Sequence, residues 1–445
     1  MRQVQLAVRQ ARPRTTPALD PSIFEFIENA LLVREMPGDP DRSDCEAFAL
    51  RFQQFTGPVM AKAVEDTALY RYHRLIALNE IGGDPASFGI SLERFHAQYA
   101  ERLRSWPLSM VTTSTHHTKR GEDVAASLVV LTEMPDEWRD AVLEWARLAA
   151  KYKSASSEPA APSRRDEYMY WQALVGAWPF GWDGVAGLSE FTERLKAFMQ
   201  KATREAKELT SWVSRDSAYE ASVAHFVQGT LADDELRAKV AAFCQRIGTY
   251  GATNAIAKLL LRLCSPGVPD TYQGSELWTQ SLVEPDNRRG VDYDRRRALL
   301  DEITNAPERA ALIERLLAGW TDGALKLFVT RVALETRSEW RDVFVHGDYA
   351  ALPAGEHVIA FIRTTSQCSV IVCVPRLTRL LTRGEHRWPL GRGVWSDQTL
   401  LVPAGEYTDA FTQRELATHG TMHLADIFAT FPLALLISSS APPDC

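Results

Sequence analysis

Residues 109–123, SMVTTSTHHTKRGED, mark a change of character in the chain. They open on Met110, Val111, Thr112 and Thr113, apolar or β-branched side chains that suit a pleated surface. They close on His116, His117, Lys119, Arg120, Glu122 and Asp123. The stretch therefore predicts a buried strand running into a functional loop.

Working outward, residues 1–106 read as helical. Asp20 before Pro21 is a helix start, a side-chain acceptor at the cap followed by a ring with φ already set. Ile23, Ile27, Ala30 and Leu31 then share one face. Glu80–Pro85, EIGGDP, is turn chemistry. Residues 153–166, KSASSEPAAPSRRD, form a loop rich in Ala, Ser and Pro. An amphipathic helix follows, with Leu188, Phe191, Leu195, Phe198, Ala202, Ala206 and Leu209 at steps of three and four. A second apolar helix near Ala255–Leu263 is stopped by Pro266, Gly267 and Pro269, and a short segment then runs to Tyr272-Gln273-Gly274. From about residue 340 the period changes. His357–Arg363, Ser369–Val374 and Thr399–Val402 are short β-rich runs between Gly and Pro, which predicts a small antiparallel C-terminal domain.

The chain has 445 residues, enough for two or three domains. A net charge of −7 leaves no electrostatic footprint for nucleic acid or an anionic membrane. No apolar run approaches the length of a membrane span. The N-terminus, rich in Arg and without an apolar segment, does not read as a secretory signal. Cys45, Cys244, Cys264, Cys368, Cys373 and Cys445 are scattered, with no CxxC or Cys/His cluster, so a reducing cytosol is expected and a zinc site is not. Trp is enriched at 12 residues; its face packs cores more often, but it also stacks on sugar rings.

Four segments carry the candidate chemistry: Gln53–Tyr72, Thr113–Val124, Ser265–Trp278 and Glu284–Arg297. By residue type alone each stays open. Lys62, Glu65 and Asp66 read first as a solvated helix face. His116-His117 could be metal ligands, but neighbours on a strand point to opposite faces and further ligands are missing nearby. Arg288-Arg289 could hold phosphate, yet Asp286, Asp292 and Asp294 around them favour a structural ion-pair network.

Together, in this order and spacing, the segments resemble maltooligosyl trehalose synthase, of the α-amylase superfamily. The matching stretches are GPVMAKxVEDTAxYRY from Gly57, LNExGGDP from Leu78, TSTHxTKRxED from Thr113, REAKxxTSW from Arg204, PGVPDxYQGxELW from Pro266 and PDNRRxVDY from Pro285. The likeness runs from about Phe24 to about residue 430. It implies an α/β fold. Residues 1–106 would be a helical insertion region with a lid loop. Residues 107–325 would carry late strands of a (β/α)₈ barrel with a helical insertion, and 326–445 a C-terminal antiparallel β-sandwich. The expected sheet is open and incomplete, with strands ending at Thr115–His117 and Asp270–Tyr272 and a third near Gly57–Lys62, because closure needs about eight.

The resemblance also implies an activity and a site. The family isomerises malto-oligosaccharides, converting the reducing-end α-1,4 bond to α,α-1,1 by intramolecular transglucosylation in trehalose biosynthesis, with no cofactor or metal. His116 matches a histidine that bonds sugar hydroxyls. Lys62 falls in the loop over the reducing-end glucose, and Lys119 and Arg120 match a basic pair beside the pocket. Tyr272 and Glu276 match the last strand segment. His117 stands where the family has its third catalytic aspartate, and an imidazole cannot accept two charge-assisted hydrogen bonds in one plane. Ala125-Ala126-Ser127 replaces Arg-Ala-Arg, Ala63 replaces Gly, and Gly290 replaces Pro. No segment resembles the nucleophile or the acid/base. The expectation is a C-terminal part, inactive alone, that works with a separate N-terminal half; the alternative is a non-catalytic carbohydrate-binding remnant. A chain hydrolase would need the same absent carboxylates.

Overall fold

The computed structural model describes residues 2–14, 19–34, 41–154 and 160–438. The chain divides into two units, Met1–Arg71 and Tyr72–Cys445. Cys445 and the middle of the 153–166 loop lie outside the described residues.

The first unit is helical. Helix Pro21–Leu31 starts as its sequence predicts: the Asp20 carboxylate accepts from Ser22 N at 2.9 Å, with Pro21 in the first turn. Asp41 caps helix Arg42–Met60 in the same way through Ser43 N at 3.1 Å. The third strand expected near Gly57–Lys62 is not there. Pro58 sits inside that helix, which then widens into a π-helical turn, Ala61–Glu65. Met60, Ala61, Lys62, Ala63 and Glu65 are nearly all strong helix formers, so the chain stays helical past Pro58 and no strand forms. Lys62 thus lies on a helical turn and not in an irregular loop.

In the second unit, α1 (Leu92–Ser105) leads into β1 (Met110–Val111), which is followed by α2 (Glu122–Val129) and α3 (Arg164–Ala177). The amphipathic helix beginning at Leu188 ends at Ala206, where Lys207 turns left-handed. The apolar stretch near Ala255–Leu263 is only the last part of a 31-residue helix, α4 (Asp234–Cys264), capped by Asp233. β2 (Val268–Pro269) follows, and it pairs in parallel with β1 through Met110↔Val268 and Val111↔Pro269. The expected burial of this strand fails: Met110 is 74% exposed and Val268 41%. With only one neighbour each, neither strand has a covering layer on its outer side. Among the described residues no closed barrel forms.

Helix α5 (Ala324–Glu339) precedes the sheet, so the expected boundary at residue 326 falls inside a helix. The sheet comprises β3 (Asp348–Ala351), β4 (Val358–Thr364), β5 (Ser369–Pro375), β7 (Gly405–Asp409), β8 (Glu415–Thr418) and β10 (Ala434–Ser438), in the antiparallel order β3-β4-β5-β10-β7-β8. The short pair β6 (Thr399–Leu401) and β9 (Thr421–His423) lies apart. The sheet is buried on both faces. Phe361, Val370 and Val372 pack with Leu325 and Phe328 of α5, while Ile371 and Cys373 pack with Trp395, Leu400 and Phe428. Two buried faces explain why β5 reads as an unbroken apolar run. The second layer of the expected sandwich is therefore a two-strand ladder with short helices.

Helix α2 is wedged between α3 and α4. A Cβ at Gly176 of α3 would stand 2.8 Å from Val124 Cγ1, and one at Gly251 of α4 would stand 2.9 Å from Ser127 Oγ. Val124 is fully buried and β-branched, so it has no room to yield. Gly176→Ala should destabilise the protein by about 1–3 kcal/mol through overpacking. A lower urea midpoint with an unchanged m-value is the expected result; an unchanged midpoint would show that α2 can shift.

Candidate functional site

The loop between β1 and α2 wires itself with its own hydroxyls. Thr112 Oγ1 donates to Ser114 O at 2.8 Å, and Thr118 Oγ1 donates to Thr115 O at 2.8 Å while accepting from Thr115 N at 3.1 Å. His117 N donates to Thr115 Oγ1 at 3.1 Å. Thr112, Thr115 and Thr118, within seven residues, build a compact turn in this way because short hydroxyl side chains bond to nearby backbone.

Two outside groups then hold the loop. Glu80, on the turn Glu80–Pro85, accepts from Lys119 N at 2.8 Å and Arg120 N at 3.3 Å, and the Arg120 guanidinium donates to Asn79 O at 3.1 Å. From the other side, Asn287 Nδ2 donates to His116 O at 3.1 Å and Thr115 O at 3.3 Å, and Tyr272 OH donates to Asn287 O at 3.0 Å. Four candidate residues are therefore drawn together with Tyr272 around one loop. Their exposures differ. His116 and His117 are exposed, with ring centroids 4.3 Å apart, whereas Lys119 and Arg120 are buried at 5% and 4%. Lys62 belongs to the first unit, where its ammonium meets Asp66 at 2.6 Å across one helical turn.

The loop ends at a buried ion cluster. Gly121 N donates to Ser281 O at 2.8 Å, so close that a Cβ there would lie 2.6 Å from Thr279 O. Glu122 and Asp123 follow. Lys326 of α5 reaches Glu122 at 2.8 Å and both Asp123 oxygens at 2.8 and 2.9 Å, with the lysine and Asp123 fully buried. Thr113 Oγ1 also donates to Glu122, and Thr279 N donates to Asp123 at 2.7 Å. Burial alone would raise the Glu122 pKa, but Lys326 and Arg262 outweigh it and push the carboxyl down to about 2. Asp123 goes up, because desolvation dominates and the Glu122 charge adds to it. Burial opposes the Lys326 charge too, yet the two carboxylates prevail and raise its pKa.

The arginine-rich fourth segment is an ion-pair network. Arg194 grips Asp286 with two bonds of 2.7 and 3.0 Å, Arg289 meets the same carboxylate at 3.3 Å, and Arg288 meets Glu284 at 2.8 Å. Glu276 is held by Arg296 at 2.9 Å. A cavity of about 440 Å³ lies here, lined by Trp278, Asn287 and Arg289 among others, and a second of about 360 Å³ lies beside β1 and α4. His116, His117, Lys119, Arg120 and Tyr272 line neither. Ser127, in the Ala-Ala-Ser stretch, is buried against α4. Among the described residues no three His, Cys, Asp or Glu side chains are grouped to hold a metal ion.

The site is thus a polar loop, presented at the carboxyl end of a parallel strand, with two imidazoles outward. That is the position where open α/β sheets and (β/α)₈ barrels carry ligand-binding groups. No protein-family model matches the chain. A Mycobacterium tuberculosis (strain H37Rv) protein provisionally named maltooligosyl trehalose synthase is 36% identical over 432 residues, 96% of this chain and 49% of that protein. The solved maltooligosyltrehalose synthase of Arthrobacter ramosus is 33% identical with a TM-score of 0.77, over 98% of this chain and 50% of the other. A hypothetical maltooligosyl trehalose synthase of Sulfolobus tokodaii follows at 28% identity and a TM-score of 0.69, over 93% and 53%. The chain is a homologue of maltooligosyl trehalose synthases along nearly its whole length. It spans about half the length of the relatives it matches, which fits a C-terminal part. No helix among the described residues is long and apolar enough to cross a membrane.

Sequence reading named His116, His117, Lys119, Arg120 and Tyr272 but missed what holds them. Glu80 and Asn287 lie inside quoted motifs, so a signal for them existed. Lys326 has none, because its carboxylates lie 203 residues earlier. Lys326→Met would leave Glu122 and Asp123 buried without the cation bonded to both, at about 3–5 kcal/mol. Without the ammonium Asp123, already pushed up by burial, would go higher, and Glu122 would rise from its lowered value. The folded variant would then bind protons that the unfolded chain releases, so its stability falls as pH rises. Its Tm should recover toward the parent between pH 8 and pH 5; parallel Tm curves for the two proteins would contradict the cluster's charges.

Proposed function

We propose that these 445 residues act as the later part of a maltooligosyl trehalose synthase, an isomerase that turns the reducing-end α-1,4 bond of a malto-oligosaccharide into an α,α-1,1 bond. In this reading β1 and β2 are neighbouring strands of a (β/α)₈ barrel whose other strands, with the nucleophile and the acid/base, come from an N-terminal half. The location is cytoplasmic. The observation that carries the reading is the loop from Thr113 to Asp123, clamped by Glu80 and Asn287 so that His116 and His117 face outward at the end of β1.

The roles follow from the geometry. His116 offers imidazole hydrogen bonds to hydroxyls of the sugar being cleaved. Lys119 and Arg120, being buried, position the loop more than they touch substrate. Lys62 and Tyr272 remain candidates for substrate contact. His117 takes the place of a carboxylate that would grip two ring hydroxyls and stabilise an oxocarbenium-like transition state. Each charge-assisted bond lost there is worth roughly 1.5–3 kcal/mol, or about one to two powers of ten in rate.

The chain should be inactive on maltopentaose alone. Mixed with the N-terminal half of the Arthrobacter ramosus relative, it should slowly consume reducing ends. His117→Asp should raise that rate by about 10- to 100-fold. Reducing ends that persist with both the parent and the His117→Asp chain would sink the enzyme reading. The second reading, a non-catalytic carbohydrate-binding remnant, is favoured by the imidazole at 117. It requires calorimetric heat with maltoheptaose, and a silent titration at millimolar ligand would remove it.

A further inference from the structure

Helix α4 turns one stripe toward a cavity of about 360 Å³ between α1, β1 and the rim of the antiparallel sheet. Asn254, Lys258 and Arg262 lie on that stripe at steps of four, and so share a helix face. Arg102 of α1 and Arg376, just past β5, complete four cations around the space. Tyr99, Ile359 and Pro375 supply apolar wall, and none of the described residues lining the cavity is Asp or Glu.

The two central cations lack counter-charges in direct contact. Among the described residues the Lys258 ammonium has no hydrogen-bond or ion-pair partner. Arg262 is 4% exposed; its Nη1 donates to Asp270 O and to Thr271 Oγ1 at 3.0 Å, while Nε and Nη2 have no partner. Glu122 and Asp123 act on both through space but are already shared by Lys326. Burial pushes the Lys258 pKa down, and these carboxylates only partly offset it. Cations held in this way are costly unless an anion joins them.

We propose that the cavity binds a small organic anion, with a phosphate or carboxylate head between Lys258 and Arg262 and a sugar-like or apolar body against Tyr99 and Ile359. The volume suits such a ligand, and a few polar groups set in a partly apolar wall are the usual composition of a small-molecule site. Planar guanidinium and point-charge ammonium groups both recognise these heads. Thr113, at the base of the Thr113–Asp123 loop, lines the cavity, but His116, His117, Lys119 and Arg120 do not, and the occupancy of the cavity does not depend on the catalytic reading.

Calorimetric titration of the whole chain at pH 7 tests it, with inorganic phosphate, glucose 6-phosphate and gluconate as probes and sodium chloride at matched ionic strength as the control. Saturable one-to-one binding of at least one probe is expected. Glucose 6-phosphate against gluconate tells a phosphate head from a carboxylate. Lys258→Met should weaken binding by about tenfold or more. Arg376→Gln, at a half-buried lining residue, should weaken it too, and it reads the site even if the Lys258 variant folds poorly. Heat that chloride reproduces, no heat with any probe, or affinities unchanged in both variants would overturn the proposal.

Discussion

A single buried ammonium organises this molecule. Lys326 enters from α5, below the antiparallel sheet, and is clasped by Glu122 and Asp123 at the first turn of α2. The same carboxylates take Thr113 from the end of β1 and the Thr279 backbone from beyond β2. Helix α5, helix α2 and both strand-to-loop junctions therefore converge on a few buried charged atoms. Replacing such a cluster by apolar groups is often neutral, whereas breaking it is not. Its value here is geometric: the three charged groups tie α2, α5 and the loops to one another.

That arrangement separates the part of the loop that is buried and bonded from the part that is left exposed. Lys119, Arg120 and Glu122 are buried and bonded, so any change there disturbs packing. His116 and His117 project outward, and neither imidazole hydrogen-bonds another described residue. The side chain at 117 can therefore change without disturbing the fold of the loop. The Ala-Ala-Ser stretch at 125–127 is the opposite case. Ser127 is small and buried against Gly251, so that substitution belongs to the contact between α2 and α4.

Much of the fold was legible because its signals are local. Asp20-Pro21 capped a helix, and the apolar runs at 358–364 and 369–375 became central strands. The turn chemistry at Glu80–Pro85 appeared as read, although nothing local said that its first residue would clamp a loop forty residues away. Gly57-Pro58 misled, because the helix continues through the proline and on into the turn Ala61–Glu65. Met110 and Val111 suggested burial by composition, but burial is set by neighbours, and these strands have only each other. At the candidate site the motifs delivered the residue names. Lys258 and Arg262 were passed over because a cation within an apolar helix looks like a surface residue until the opposite wall is known.

The spacing of the central cluster also has a consequence in time. Glu122 and Asp123 leave the ribosome 203 residues before Lys326. At about 5–20 residues per second that interval is roughly 10–40 s. During it the nascent α2 carries two carboxylates without the lysine that bonds to both. The N-terminal half of the second unit must therefore wait, solvated and unsealed, until α5 emerges. Synthesis speed and chaperone cover over that interval then bear on how much of the chain reaches its native state.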